Sequence, residues 1–491
     1  MRPAQTEESR TNPWVVLAFL ILAFFMTVLD TTIVNLANQD IIDRLDASLD
    51  EVLWVTSGYT LAFAALLLFA GRLGVLMGAR NAFVLGVVVF TAASAACALS
   101  QNPEQLIAMR VVQGVGAALL MPQTLAIIMT VFPPDKRGAA FGIWSAVAGL
   151  AAVAGPTLGG IFVDALTWRS VFWINVPLGV IAIVGALRTI PGARPPQRPS
   201  FQPLGTVLST VGIFLVVFAL IEGERYDWGE VWGIVSIPVI GGAGVLVMVF
   251  FVLQQRAQQE HQPLLPFTLL RDRGFSVMNV VLMTNLFASM GLLLPYALYL
   301  QGVLDLSPTK AGLVMGPAPL VSLFIAPFAG KWADKLDPRA IIVPGLLVFA
   351  GSVAVLIATS HTDSSTWAVI PGMVLFGIAI GLVFAPANAL AMRNVPPHLA
   401  GAASGVVTSA RQIGTVLGAA AVGAVLQAEL TDNLKSEPYP DAFVGAMEPS
   451  LWLVVGVLCA TALLCAVALR RSAVRTGDDP SAAEPVKEPT G

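Results

Sequence analysis

Charged side chains interrupt the long apolar stretches of this 491-residue chain at very few points. Asp30 lies near the end of the apolar run 14–37, and Arg110 lies seven residues into the run 104–130. A charge inside a membrane segment is costly and usually marks an ion or proton path. Because a buried guanidinium needs a partner, we hypothesise that Asp30 carries a proton and that Arg110 tunes its affinity for that proton. A purely structural pair joining two helices is the alternative.

The depth of each charge in the membrane decides its role. At about 1.5 Å per residue, counting from Trp14 puts Asp30 in the outer half of the membrane. If the helix instead ended near Leu29, Asp30 would be interfacial. Glu222 falls at an outer helix end, where an interfacial position is expected. Arg411 is the only cation deep in the second half, and it either binds an anionic substrate group or satisfies backbone carbonyls of a neighbouring span.

The composition assigns the chain to a lipid bilayer. Hydrophobic residues make up 56% of it and charged residues only 12%, against about 25% charged in an ordinary globular protein. Runs of about 20 apolar residues, the length that a bilayer core requires, recur fourteen times. Their approximate limits are 14–37, 52–71, 81–99, 104–130, 138–162, 170–189, 204–222, 231–253, 275–301, 308–330, 340–359, 367–392, 399–428 and 450–469. The sequence therefore predicts an all-α polytopic membrane protein with fourteen transmembrane helices.

The distribution of Lys and Arg predicts the orientation of these spans. If the N-terminus is cytoplasmic, twenty of these residues fall in cytoplasmic loops and tails and five in outer loops. Cytoplasmic loops of membrane proteins carry such an excess of positive charge. We therefore expect a multi-pass protein of the plasma membrane, the inner membrane of a bacterium, with both termini in the cytoplasm.

An internal repeat predicts the domain organisation. Residues 132–142 align with 395–405, and 71–80 align with 330–339. Two halves related in this way are typical of transporters that alternate access around a central site. The predicted domains are a cytoplasmic N-terminus (1–13), an N-terminal six-helix bundle (14–190), a linker with two inserted transmembrane helices (191–260), a C-terminal six-helix bundle (261–470) and a disordered cytoplasmic tail (471–491).

The fifth apolar run combines small residues with a helix-bending one. Glycines allow a neighbouring backbone to come close, and a proline inside a helix removes a hydrogen bond and bends it. The residues concerned are Gly149, Gly155, Pro156, Gly159 and Gly160. Such a helix is costly unless another helix rocks or seals against it.

These motifs together resemble the fourteen-span drug:proton antiporter family of the major facilitator superfamily, over nearly the whole chain. The stretches that carry the resemblance are 29–37, 106–118, 147–160, 168–179 and 409–418. The resemblance implies a major facilitator fold, with two six-helix bundles and two inserted helices. It also implies proton-driven export of lipophilic drugs or antibiotics by alternating access, with the fourth-span Arg110 taking part in proton coupling beside Asp30.

Residue types within the spans suggest a substrate cavity, and the resemblance suggests a cytoplasmic gate. The residues proposed to line the cavity are Asn35, Tyr59, Gln113, Tyr296 and Arg411, although an aromatic residue in a span is more often lipid-facing or core. The residues proposed for the gate are Gly71, Arg72, Gly78, Arg80, Asp334, Lys335 and Arg339. Val75 stands where the family motif has an acidic residue that helps lock the two halves. We therefore predict a weaker inner gate on one side.

The sequence also excludes several classes of function. It has no phosphate-binding Gly-Lys-Ser/Thr loop, so ATP is not expected to drive transport, and no nucleophile–base pattern suggests an enzyme. No cofactor, metal or nucleic acid is expected. The expected partners are protons, the lipid bilayer and a small lipophilic substrate, with a monomer as the functional unit. The alternatives are an exporter of an endogenous secondary metabolite or siderophore, an uptake symporter, and a transport-dead receptor or scaffold; the Gly155–Pro156 segment weighs against the symporter.

Overall fold

A computed structural model describes residues 12–469 apart from 193–201, 224, 227, 233–234, 260–262, 334 and 397–398. The described residues form eighteen α-helices and one two-stranded antiparallel hairpin, β1 (Glu230–Trp232) with β2 (Val235–Ser236). The helices are α1 Pro13–Ile33, α2 Asn38–Leu45, α3 Leu49–Met77, α4 Ala79–Leu99, α5 Pro103–Val131, α6 Arg137–Ala165, α7 Ser170–Trp173, α8 Asn175–Thr189, α9 Pro203–Glu222, α10 Ile237–Ala257, α11 Phe267–Arg271, α12 Arg273–Leu298, α13 Pro308–Met315, α14 Pro317–Ala333, α15 Pro338–Thr359, α16 Ile370–Met392, α17 Ala400–Asn433 and α18 Tyr439–Ala468. The predicted tail 471–491 lies outside the described residues, as does nearly all of the predicted N-terminal segment 1–13.

The all-α membrane architecture predicted from the sequence is confirmed. Thirteen stretches of the described residues are long and apolar enough to cross a membrane. A further helix, α6, has 29 residues, which at about 1.5 Å per residue gives about 44 Å, more than a bilayer core requires. Many of its side chains, including those of 156–165, lie outside the described part of the chain. With α6, the fourteen predicted spans all have a helical counterpart.

Polar residues fix where several of the apolar helices begin. The Asn12 side chain accepts a hydrogen bond from the backbone N–H of Trp14 and so caps α1. Ser48 and Glu51 form a reciprocal capping box at the start of α3. Asn102 caps α5. The first N–H groups of a helix have no partner within it. These caps supply hydrogen-bond acceptors for them and so fix where each helix begins.

Two predicted spans have the wrong limits. The span predicted at 231–253 begins with the β-hairpin, and its helix α10 starts only at Ile237, where Pro238 suits the first turn. The last span, predicted at 450–469, belongs to a helix that starts at Tyr439. Glu448 lies within this helix, where it is exposed and accepts a hydrogen bond from Trp452 Nε1. A helix can therefore continue through it into the polar region.

Contacts between helices, within each half and between the halves, hold the site residues in place. In the N-terminal half, α5 lies between α3 and α4, while α1 contacts α6 and α8; in the C-terminal half, α12 contacts α17 and α15 lies between α16 and α18. The two halves meet where α3 contacts α17 and where α6 contacts α14 and α16. The inserted helices α9 and α10 pack on each other, and α9 also packs on α3. Arg225 joins the insert to α3, since its Nη2 lies 2.9 Å from Asp50 Oδ1.

Candidate functional site

Asp30 lies inside the first membrane helix. The helix α1 continues to Ile33 and passes into a 3₁₀ turn at Val34–Ala37. The interfacial alternative needs a helix that ends near Leu29, whereas Asp30 lies before the helix end and has 0% exposed surface. A carboxylate buried in this way must be bonded by its neighbours to remain in the fold.

Three side chains from two other helices bond the Asp30 carboxylate. Arg110 Nη1 lies 2.5 Å from Asp30 Oδ2. Gln113 Nε2 donates to Asp30 Oδ1 at 2.8 Å, and Asn175 Nδ2 donates to the same oxygen at 3.0 Å. Arg110 and Gln113 come from α5 and Asn175 from α8. The structure therefore brings together the two charges that the sequence singled out, and it adds two amide donors.

Arg110 is bonded on several sides. Its Nε donates to the carbonyl of Val55 on α3 at 2.9 Å, and its Nη1 also donates to Gln113 Oε1 at 2.8 Å. The guanidinium carbon lies 4.4 Å from the centre of the Tyr59 ring. Only 1% of Arg110 is exposed. Burial of an ion pair is tolerated when such additional bonds satisfy the remaining donors.

Asn175 was not singled out by the sequence reasoning. It lies within the stretch 168–179 that carried part of the resemblance, at the start of α8. Besides Asp30, its Nδ2 contacts Ser94 Oγ at 3.0 Å, and Ser94 in turn donates to the carbonyl of Phe172. An Asn at the edge of an apolar run is a signal that could have found it, since a buried amide costs free energy unless it is bonded.

Two residues proposed for the substrate cavity contact this charged cluster. Tyr59 is 3% exposed and covers Arg110, while Gln113 is fully buried between Arg110 and Asp30. Tyr296 lies in the other half, where its hydroxyl pairs with Ser360 Oγ at 3.0 Å. The side chain of Asn35 lies outside the described residues.

Arg411 lies at the meeting point of the two halves. Its guanidinium carbon is 5.0 Å from the centre of the Trp144 ring and 4.6 Å from that of Phe384. Trp144 belongs to α6 in the N-terminal half, and Phe384 belongs to α16 in the C-terminal half. Phe24 on α1 also stacks on Trp144, with ring centres 4.4 Å apart.

Gly155, the first residue of the Gly155–Pro156 segment, lies where α6 packs on α1. A Cβ atom added at Gly155 would overlap the side chain of Thr32, so only glycine fits this contact. The helix α6 runs continuously from Arg137 to Ala165. For Gly149, Pro156, Gly159 and Gly160, the surroundings lie outside the part of the chain that the structure describes.

Glycine contacts close the two halves against each other at one end. A Cβ added at Gly71 on α3 would lie 2.7 Å from the carbonyl oxygen of Gly401 on α17. A Cβ at Gly142 on α6 would lie 2.7 Å from Pro327 Cα on α14. Val75, which replaces the acidic residue of the family motif, packs against Gly401. This end is therefore closed by backbone packing.

The other described residues proposed for the gate lie at or near the ends of α3, α4, α14 and α15. Arg72 is 6% exposed, Gly78 ends α3 with a φ of 86°, and Arg80 donates to the carbonyl of Leu187 at 2.6 Å. Lys335 lies in the turn after α14, and the backbone N–H of Arg339 is capped by Asp337. Asp334 lies outside the described residues.

The fold and the buried charge cluster define a polytopic membrane transporter built from two helical bundles. Residues 20–419 match the family model of the Major Facilitator Superfamily, and the chain belongs to this superfamily.

Its relatives include the probable actinorhodin transporter of Streptomyces coelicolor, 36% identical over 84% of this chain and 72% of that one. The tetracenomycin C resistance and export protein of Streptomyces glaucescens is 34% identical over 90% of this chain and 80% of that one. The crystal structure of the human organic anion transporter MFSD10 has the same fold, with a TM-score of 0.65 and 13% identity over 94% of this chain and 100% of that one.

Proposed function

We propose that this protein is a proton-driven antiporter that exports lipophilic drugs or antibiotics across the plasma membrane by alternating access. The observation that carries the proposal is the fully buried Asp30, bonded by Arg110, Gln113 and Asn175 from two other helices. Two relatives are named for the export or transport of antibiotics, which supports the substrate class. The excess of Lys and Arg in one set of loops supports cytoplasmic termini.

The cluster suggests how a proton changes the forces between helices. An ionised Asp30 on α1 attracts Arg110 on α5 and accepts bonds from the amides of Gln113 and Asn175. Protonation removes that charge, so α1 loses its strongest link to α5 and α8. Because α1 also packs on α6, and α6 contacts the C-terminal half, this loss is transmitted to the interface between halves. We propose that it favours the change between inward and outward access in a monomer.

The test uses inside-out membrane vesicles that are energised to acidify their interior. Uptake of tetracenomycin C is measured with and without a proton uncoupler, for the wild type and for Asp30→Asn. Asp43→Asn is the matched control, because Asp43 is an exposed carboxylate that follows the same helix. We expect uncoupler-sensitive uptake that Asp30→Asn abolishes and Asp43→Asn keeps. Uncoupler-sensitive uptake by Asp30→Asn would place the proton site elsewhere.

A second candidate is an exporter of a secondary metabolite made by the same cell. The specific observation is the similarity to a probable actinorhodin transporter, whose name gives the transport of a single antibiotic. Deletion of the gene distinguishes the two functions. A narrow exporter predicts accumulation of one endogenous compound inside the cell, whereas a drug exporter predicts sensitivity to several unrelated compounds added from outside.

A further inference from the structure

Arg411, which is half-buried, differs from the fully buried Arg110 in having no counter-ion among the described residues. Arg110 forms an ion pair with Asp30, and it also donates hydrogen bonds to Gln113 Oε1 and to the Val55 carbonyl. Among the described residues, the guanidinium of Arg411 makes neither a salt bridge nor a hydrogen bond, and its Nε is buried without a partner. A cation in a membrane protein normally pairs with another group or lines a substrate path.

The surroundings of Arg411 are aromatic. The rings of Trp144 and Phe384 are nearly parallel, with an interplanar angle of 12° and centroids 5.8 Å apart. Phe24 also stacks on the Trp144 ring. The indole Nε1 of Trp144 is buried and has no hydrogen-bond partner in the described part of the chain. Two unpaired donors, from Arg411 and Trp144, therefore lie on one aromatic stack.

Stacking on the two rings does not by itself compensate the cost of placing the Arg411 charge inside the membrane protein. Cation–π contacts favour a guanidinium over Trp and Phe, but they compensate only part of the cost of removing an ion from water. The sequence left a second explanation open, in which backbone carbonyls of a neighbouring span accept from Arg411. In the described residues, no such bond is present. The positive charge thus remains available to a ligand.

The position of the stack suits a transported substrate. Arg411 is eleven residues into α17, about 16 Å from the helix start, and Phe24 is eleven residues into α1, also about 16 Å from its start. Both positions lie near the middle of a membrane about 30 Å thick. The stack joins α1 and α6 of one half to α16 and α17 of the other, so separation of the halves would expose it. Substrate sites of such transporters lie near the midplane at the interface between repeats.

We propose that Arg411, Trp144 and Phe384 form the substrate site, and that it takes a planar aromatic compound carrying an anionic group such as a carboxylate or an ionised phenol. The anion pairs with Arg411 and accepts from Trp144 Nε1, while the aromatic rings of the compound stack on Trp144 and Phe384. This inference rests on the proposed export function, because it names the substrate class of that function. A lipophilic cation, in contrast, would be repelled by Arg411.

The test is a binding measurement that needs no proton gradient. The purified full-length protein is placed in nanodiscs of zwitterionic lipid, and the fluorescence anisotropy of two probes is measured, with empty nanodiscs subtracted. The probes are fluorescein, which is anionic, and rhodamine 6G, which is cationic on the same planar xanthene ring system. The variants are Arg411→Gln, Arg411→Lys and Trp144→Phe. Arg393→Gln is the matched control, because it removes one positive charge of the same half from an exposed position.

We expect the wild type and Arg393→Gln to bind fluorescein more tightly than rhodamine 6G. Arg411→Gln should weaken fluorescein binding by about tenfold or more, because a charge-assisted bond is lost, and Arg411→Lys should restore part of it. Trp144→Phe keeps the ring stack but lacks the indole N–H donor. Its loss of fluorescein affinity should therefore be smaller than that of Arg411→Gln. If Arg411→Gln does not fold, the Lys and Phe variants still test the site. Equal binding of both probes, or fluorescein binding unaffected by all three variants, would overturn the proposal.

The same measurement separates this inference from the proposed function. If the wild type binds fluorescein through Arg411 but shows no uncoupler-sensitive transport of any probe, proton-driven export is wrong and the anion site stands. If transport is proton-driven but fluorescein does not bind, the substrate class is wrong and the export function stands.

Discussion

Phe24 and Asp30 lie on the same helix, α1, and each belongs to a different cluster. Phe24 stacks on Trp144 with ring centres 4.4 Å apart, next to the guanidinium of Arg411. Asp30 is bonded by Arg110 in the charged cluster. Because a helix transmits displacement along its axis, a change in the charge of Asp30 can shift the aromatic stack. The one helix thus gives a physical route between the proposed proton site and the proposed substrate site.

Removal of one charge of the Asp30–Arg110 pair should be more damaging than removal of both. Arg110→Gln leaves a carboxylate buried without a cation, and breaking a buried pair in this way costs about 3–5 kcal/mol. We expect the double variant Asp30→Asn/Arg110→Gln to be more stable than the Arg110 variant alone, although it should not couple transport to protons. The measurement is thermal unfolding of the purified proteins in detergent, followed by tryptophan fluorescence. If the loss of thermal stability in the double variant equals the sum of the losses in the two single variants, the two side chains do not interact.

Asn175 should be needed to hold Asp30 in place. Asn175→Ala removes a donor shared between Asp30 and Ser94, and leaving a buried acceptor without its partner costs about 1–3 kcal/mol. Asn175→Asp should be worse, since it sets a like charge beside the carboxylate. The matched control is Asn81→Ala, which removes an exposed Asn side chain that donates to the Met77 carbonyl nearby in the chain. Unfolding midpoints and uncoupler-sensitive transport are compared, and wild-type transport by Asn175→Asp would contradict the role proposed for the cluster.

The glycine contact between α3 and α17 should control closure of the inner side. Gly71→Val would push a side chain into the Gly401 carbonyl, so the two helices could no longer touch. We expect this variant to favour the state that is open on this side, with transport reduced about tenfold or more. Gly351→Val is the control, because a Cβ added at Gly351 meets no atom within 4 Å.

Pulsed electron paramagnetic resonance can measure this opening. Spin labels are attached at the exposed residues Met77 and Asn394, near the ends of α3 and α16 on the same side, in a chain whose three cysteines are replaced. The distance between the labels should increase in Gly71→Val and stay unchanged in Gly351→Val. An unchanged distance in Gly71→Val would mean that the glycine contact does not limit closure.

The link between the inserted helices and the N-terminal half should matter for stability and not for transport. Arg225 bonds both Asp50 and the buried Glu222, and Arg225→Ala leaves Glu222 without its cation. We expect the free energy of unfolding to fall by about 1–3 kcal/mol. Transport should be retained, because α9 and α10 lie outside the charged cluster and the aromatic stack. Lys435→Ala, which breaks an exposed pair with Asp432, should cost about 0–1 kcal/mol. A loss of transport in Arg225→Ala would give the insert a functional role.

The sequence by itself determined the membrane architecture, because the length of an apolar run and the cost of a charge within it are local properties. The same cost singled out Asp30 and Arg110 and implied that each needs a partner. The sequence did not give the start of α10, which follows a short hairpin, or the start of α18. A short hairpin can be apolar, and a helix can extend beyond the bilayer.

Only the tertiary structure decided which residues meet. Asn175 joins Asp30 across 145 positions of sequence, and the Tyr59 ring, 51 positions before Arg110, lies against its guanidinium. Arg411 was ambiguous in the sequence, because its role depends on what stands around it. The packing of α6 against α16 brings Trp144 and Phe384 to its guanidinium, and no spacing within a single helix encodes such a contact between distant helices.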